Sequence, residues 1–211
     1  MQEVFNDING DLEKLKSRNL LDVGCGLGHQ AIAFSQYVNV QGLDRVDECS
    51  ELFKQLELDI PVHTCDMEED SYPLSDGSVD YVFSKSVIEH LPKWDHYLSE
   101  IRRILRRDGK LVIMTPSWNS SPESFYDDPT HISPFTEISL RKALEMAGMV
   151  DVRVKEFYQL PFTWKYSYLK FVPRITSFLP DSMKWRDSKK TIQRTWVRFS
   201  KEKMLLAVAK K

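Results

Sequence analysis

Short apolar runs and amphipathic segments alternate along most of this chain. Leu20, Leu21 and Val23 make the first run, from 19 to 23, and it stops abruptly at glycine. Further runs cover Val38–Leu43, ending at Asp44, then Ile60–Thr64, ending at Cys65-Asp66, and Val79–Phe83. The last three are Lys110–Met114, stopped by Pro116, Val150–Phe157 and Leu205–Ala209. Runs of this length between turn residues predict buried strands. Between them, spacings of three and four predict helices over 11–17, His29 to Tyr37, an Asp47-capped segment through Leu58, Trp94–Arg107 and 136–147. In the segment from Trp94, Leu98, Ile101, Ile104 and Leu105 form the apolar stripe, and Arg102, Arg103, Arg106 and Arg107 mark the outer face and C-terminus. Residues 116–135 show no period and read as irregular. Strand and helix in alternation mean an α/β fold, a mostly parallel sheet with helices on both faces.

Length and composition narrow this to one soluble globular domain of 211 residues with a sizeable core. No apolar run approaches the roughly 18 residues of a spanning helix, and Met-Gln-Glu-Val-Phe-Asn-Asp at the start lacks the signal-peptide pattern. Cys25, Cys49 and Cys65 are odd in number and without metal-type spacing, which fits a reducing cytoplasm and predicts no structural metal. The net charge of −2 conceals an asymmetry. Tyr158 to Lys203 holds eleven Lys or Arg against three Asp or Glu, leaving eighteen against twenty-eight elsewhere. Such a basic segment either meets an anionic partner or docks on the acidic body of its own chain.

The first strand runs into Leu-Leu-Asp-Val-Gly-Cys-Gly-Leu-Gly, with Gly24, Gly26 and Gly28 ahead of a helix start. A strand, a tight glycine turn and a helix bring backbone close to a nucleotide-like ligand. The dinucleotide fingerprint would place its third glycine where His29 stands, and the Gly-Lys-Ser/Thr of a P-loop is absent. Asp44 and Asp66 close the second and third strands. At those ends an acid can accept from ribose hydroxyls or an adenine amino group, and Asp44 alone serves NAD equally well.

Gly-x-Gly-x-Gly after Leu-Asp-Val resembles the first motif of class I S-adenosylmethionine-dependent methyltransferases. Asp-Tyr-Val-Phe-Ser…Val-Ile-Glu-His-Leu, from Asp80 to Leu91, and Gly109-Lys110-Leu111-Val112-Ile113 resemble the ubiquinone- and menaquinone-biosynthesis type of small-molecule methyltransferases. The resemblance covers about 19–157 and 203–210. It implies a Rossmann-like seven-stranded sheet whose last strand inserts antiparallel between the fifth and sixth. It also implies S-adenosyl-L-methionine as cofactor. Asp22 would help place the methionine ammonium, the three glycines would line the turn, Asp44 would face the ribose, Asp66 and Met67 the adenine, and Arg45 and Ser84 would complete the cofactor-binding set. The Asn/Asp-Pro-Pro-Tyr/Phe of amino-group base methylases and a Pro-Cys nucleophile are both absent.

A methyl on a sulfonium needs alignment above all, and a hydroxyl acceptor gains from a base. His131, in Asp-Asp-Pro-Thr-His-Ile-Ser-Pro-Phe-Thr, is the first candidate and His90 the second. Loop tethering or plain substrate contact is an equally fitting role for His131, and organising the strand-to-helix loop for His90. The acceptor read this way is a small molecule, a glycan or a lipid-linked precursor. A methyltransferase-fold partner without catalysis, and transfer to an amine or a nucleic acid, are the alternatives. Residues 158–202, between the sixth and seventh strands, interleave aromatics such as Trp164, Tyr168, Phe171, Phe178 and Trp185 with Lys165, Lys170, Arg174 and Arg186. They suit a cap over the acceptor pocket, a peripheral membrane contact or a nucleic-acid surface. Nothing in the sequence sets the oligomeric state.

Overall fold

A computed structural model describes residues 16–120, 122–179 and 192–211. The helix expected at 11–17 lies almost wholly outside them, as do Lys184, Trp185 and Arg186 of the basic segment. The strands are β1 (Asn19–Val23), β2 (Asn39–Asp44), β3 (Val62–Thr64), β4 (Val79–Lys85), β5 (Leu105–Pro116), β6 (Val150–Tyr158) and β7 (Lys203–Lys210). The principal helices are α1 (His29–Ser35), α2 (Ser50–Gln55), α3 (Trp94–Ile104), α4 (Glu137–Met146) and α5 (Ile192–Lys201). Short helical turns occupy Pro122–Phe125, Pro161–Lys165 and Phe171–Thr176.

The seven strands form one sheet in the order β3-β2-β1-β4-β5-β7-β6. Pairs among β1 to β5 are parallel, while β7 runs antiparallel to both β5 and β6. Alternation along each strand sends side chains to opposite faces. Leu21, Val23 and Val82 join Tyr97, Ile101 and Leu140 in the larger core, whereas Leu20, Phe83 and Val112 meet Phe34 and Phe53 in the smaller one. The strand order reverses between β1 and β4, so the carboxyl ends of these strands border the crevice where doubly wound folds take their ligands.

The helix expected from Asp47 through Leu58 is shorter: Cys49 is the N-cap of α2, which ends at Gln55, and Asp47 takes the Ser50 N–H at 2.9 Å from the preceding turn. Thr136 caps α4 in a reciprocal box with Ser139. The helix expected over Trp94–Arg107 stops at Ile104, and β5 begins five residues earlier than expected. The cause lies in the sheet: Leu105 pairs with Val79, and the register then shifts before Lys110 pairs with Tyr81. Arg106 therefore leaves the helix and holds buried Asp80 at 3.0 Å, a partner no helical period could reveal. Among the described residues no helix is long and apolar enough to cross a membrane.

Arg103 ties the loop after β3 to α3. It donates to both oxygens of Glu100 (2.9 and 2.8 Å), to Asp76 (2.6 Å) and to the carbonyls of Tyr72 and Leu74. Glu100, itself buried, also takes the Tyr72 N–H at 2.7 Å. Arg103→Ala leaves a desolvated carboxylate and two carbonyls short of donors, an expected loss of about 3 kcal/mol in urea unfolding. Arg103→Lys should recover only part of it, because one ammonium cannot span the fork. An Ala variant unfolding at the wild-type midpoint would show the network to be inert.

Candidate active site

At the end of β1 the chain turns through Gly24, Gly26 and Gly28 into α1. Backbone bonds set the turn: Gly24 N–H donates to Leu43 O at 2.8 Å, and Gly28 N–H to Cys25 O at 2.8 Å. Gly24 sits at φ +75°, and a Cβ there would stand 2.1 Å from a Val87 methyl. At Gly26 (φ +47°) a Cβ would point into open space. Glycine at 24 is therefore demanded by the fold, and at 26 it keeps the approach to the turn clear.

Three acids surround this turn. Asp22 is buried beneath it, and the Ala31 N–H bonds to its carboxylate while Oδ2 has no partner. Burial, then the charge of Asp44, pushes the Asp22 carboxyl up to about 7. Asp44, closing β2, accepts the Gly26 N–H at 2.7 Å and the Arg45 N–H at 2.7 Å. Asp66 lies just beyond β3, where the Glu68 N–H (2.9 Å) and the Arg45 guanidinium (3.1 Å) hold its carboxyl below the usual carboxylate range. Arg45 also reaches Glu68 at 3.5 Å, so it clamps the acidic strand ends together.

A second cluster lies at the ends of β4 and β5. Glu89 is fully buried; its Oε2 accepts from the Thr115 hydroxyl at 2.9 Å, and its backbone carbonyl takes the N–H groups of Ile132 and Ser133. Those two bonds pull the loop after β5 onto the turn after β4. They bring the His131 ring within 4.8 Å of His90, centroid to centroid. Glu89 Oε1 has no partner, and burial pushes this carboxyl up to about 7. His131 Nδ1 bonds to Phe125 O at 2.7 Å. Burial lowers the pKa of His90, whose Nδ1 lies 3.2 Å from Thr130 O and 3.0 Å from Thr130 Oγ1. All three residues border a cavity of about 610 Å³ that also meets Lys85, Arg198 and Phe199.

A methyltransferase-domain family matches residues 21–113. The uncharacterized methyltransferase YcgJ of Bacillus subtilis is 28% identical over 157 residues, 69% of this chain and 62% of that protein. A probable S-adenosylmethionine-dependent methyltransferase of Mycolicibacterium smegmatis is 31% identical over 136 residues, 62% of this chain and 51% of that one. A methyltransferase crystal structure from Archaeoglobus fulgidus superposes over 100% of this chain and 94% of its own, with a TM-score of 0.64 and 22% identity. Residues 21–113 are thus a methyltransferase domain, and the S-adenosylmethionine-dependent relatives and the shared fold support a class I methyltransferase. It spans between one third and two thirds of the length of the first curated relatives it matches.

The methyltransferase sheet and its inserted antiparallel β7 are those the resemblance implied. The glycine turn and acids also fit the family's cofactor. A buried carboxylate oxygen without a partner suits the methionine ammonium, and the clear side of Gly26 suits close approach. Ser84 is buried with its hydroxyl beside Tyr97, and Met67 is buried in the larger core. Glu89 escaped the sequence reading as a chemical group. Its one signal is an acid placed directly after the apolar Val87-Ile88.

Proposed function

We propose that this methyltransferase moves the methyl group of S-adenosylmethionine to a hydroxyl of a small-molecule, glycan or lipid-linked acceptor. Asp22, Asp44 and Asp66 would hold the ammonium, ribose and adenine in turn, with the glycine turn beneath. The bound cofactor supplies a methyl on sulfur that is already a leaving group, so transfer is an in-line displacement. The chain's remaining tasks are to align the acceptor and to take up its proton.

The observation that carries a hydroxyl acceptor is the Glu89, His90 and His131 cluster. It gathers proton-accepting groups at the cavity, and Val87, in van der Waals reach of the glycine turn, precedes Glu89 by two residues. His131 bonds through Nδ1 to a backbone carbonyl, which leaves Nε2 as the proton acceptor. The cap role of residues 158–202 draws support from Arg198 and Phe199, which line the same cavity. A lipid-linked acceptor draws support from the exposed Tyr168, Phe171 and Phe178 near Lys170 and Arg174.

Methyl-labelled S-adenosylmethionine offered with phenols, sugars, polyprenyl-linked sugars in vesicles and primary amines tests the reading. Label should enter hydroxyl acceptors, and His131→Ala should cut turnover by about 10² to 10⁴ while S-adenosylhomocysteine affinity holds. Label entering amines alone would replace oxygen by nitrogen as the acceptor atom. Full turnover of the Ala variant would end the proton-acceptor role.

A further inference from the structure

Glu89 and His131 stand 42 positions apart, and the fold sets their side chains together with that of His90. Each of the three offers one ligand atom, and these atoms all lie within 4.8 Å of one another. Two facing histidines and a buried acid could still be a simple hydrogen-bonded knot, so the direction of each hydrogen bond matters.

The Thr130 hydroxyl donates to Asp128 at 2.6 Å, so towards His90 it can only accept. His90 Nδ1 thus carries the proton and gives it to Thr130. His131 Nδ1 likewise donates to Phe125 O at 2.7 Å. Each imidazole therefore has its Nε2 lone pair directed away from its anchor. This is the arrangement by which proteins orient metal-binding histidines, one ring nitrogen held by a carbonyl and the other on the ion. The third member matches: Glu89 is fully buried, anchored through Oε2 to Thr115, and its Oε1 has no partner. The Glu89 backbone N–H and the Ser86 hydroxyl also lie close to this carboxylate, but Oε1 completes no hydrogen bond and is grouped with two imidazole lone pairs. A cation resolves that conflict.

The donor set selects the cation. Two imidazoles and one carboxylate suit first-row divalent ions and leave coordination positions open, whereas magnesium and calcium prefer oxygen throughout. Bonds of about 2.1 Å put tetrahedral donors roughly 3.4 Å apart. The exposed turn 126–130, which carries His131, can supply that closing movement. Two of the basic groups on the cavity wall are neutralised locally, Arg198 by Glu202 at 2.6 Å and Lys203 by Glu156 at 2.9 Å.

We propose that Glu89, His90 and His131 bind one divalent first-row transition ion, zinc, cobalt or manganese, with open positions facing the acceptor cavity. The binding site stands on its own geometry, and its use rests on the hydroxyl-transfer reading above. An acceptor hydroxyl bonded to the ion loses its proton to water near neutral pH. Its oxygen pair then forms the bond to the methyl carbon as the carbon–sulfur bond breaks with its pair on sulfur. In the loaded protein His131 is a ligand, and the ion's charge performs the activation assigned above to its lone pair.

Titration of Co²⁺, Zn²⁺ and Mg²⁺ into chelator-treated full-length protein tests the site by calorimetry and by the visible spectrum of Co²⁺. One Co²⁺ or Zn²⁺ per chain is expected, with a cobalt spectrum showing nitrogen ligation. Glu89→Gln, which keeps the shape and the Thr115 contact, and His131→Ala should each weaken binding by at least about 100-fold. S-adenosylhomocysteine affinity should stay at the wild-type value in both variants, which verifies that they fold. No binding, binding of Mg²⁺ alone, or Co²⁺ binding that both variants retain would overturn the site. Failure to bind S-adenosylhomocysteine would instead count against the methyltransferase reading and leave the metal result readable. Methyl transfer lost on chelation and restored by Co²⁺ or Mn²⁺ is the expected link between the two. Transfer at the full rate in chelator would refute the ion's use in activation.

Discussion

Gly24→Ala should abolish S-adenosylhomocysteine binding and lower the melting temperature by about 10 °C. The left-handed backbone at φ +75° costs an alanine about 1–2 kcal/mol. The added Cβ would also meet the Val87 methyl at 2.1 Å, and relieving such overpacking costs typically another 1–3 kcal/mol. For a domain of this size each kcal/mol moves the midpoint by about 2–4 °C. Val87 cannot retreat freely, because it is buried in the larger core two residues before Glu89. Gly26→Ala is the informative comparison. Its Cβ meets nothing, so stability falls by little more than the backbone term, yet the methyl stands on the open side of the turn, where the proposed cofactor site lies. Calorimetric titration beside a thermal scan separates the two variants. A Gly24→Ala protein that binds with wild-type affinity would remove the turn from the cofactor site.

Asp22→Asn should stabilise the free protein at pH 8 while weakening cofactor binding. Burial raises the Asp22 carboxyl in the folded chain to about 7, against 3.8 for an ordinary aspartate. Between these values the folded chain holds a proton that the unfolded chain has released, so this residue's contribution falls as pH rises. Its stabilising share is complete below pH 4 and gone above pH 7, a difference of roughly 4 kcal/mol at most. Asparagine keeps the oxygen that accepts from Ala31 and removes the charge, so the Asn variant loses this slope. The cofactor's ammonium favours the charged form, so wild-type affinity for S-adenosylhomocysteine should drop towards tenfold per pH unit below pH 7. Proton release should accompany binding there, read by calorimetry in buffers of different ionisation enthalpy. Stability that does not change between pH 5 and 8 would contradict this account of Asp22.

Both effects arise at residues that could be read directly from the chain. The glycine turn, Asp22, Asp44 and Asp66 fall at strand ends, and strand ends are marked by where apolar runs stop. Local pattern was enough because parallel strands bring their carboxyl ends to one edge whatever the side chains between them. Which face a strand-end side chain takes depends on the pleat and on the helix beneath: Ser84 lies beside Tyr97 and Met67 in the larger core. Arg45 was legible as a neighbour of Asp44 but not as the clamp on Asp66 and Glu68, which needs β2 and β3 side by side. The early end of α3 belongs to the same class of facts, since the pairing of Leu105 with Val79 overrides a helical period that continues to Arg107.

By itself, then, the sequence determined the order of elements, the parallel sheet and the strand-end edge to which the proposal assigns the cofactor, since hydrophobic period and glycine placement are local properties. The acceptor side was decided only by tertiary structure. His131 was visible as a loop histidine, but its meeting with Glu89 and His90 depends on the Ile132 and Ser133 N–H groups closing on the Glu89 carbonyl. No spacing encodes that contact: the partners lie on different strand ends, and the folded sheet alone brings those ends together.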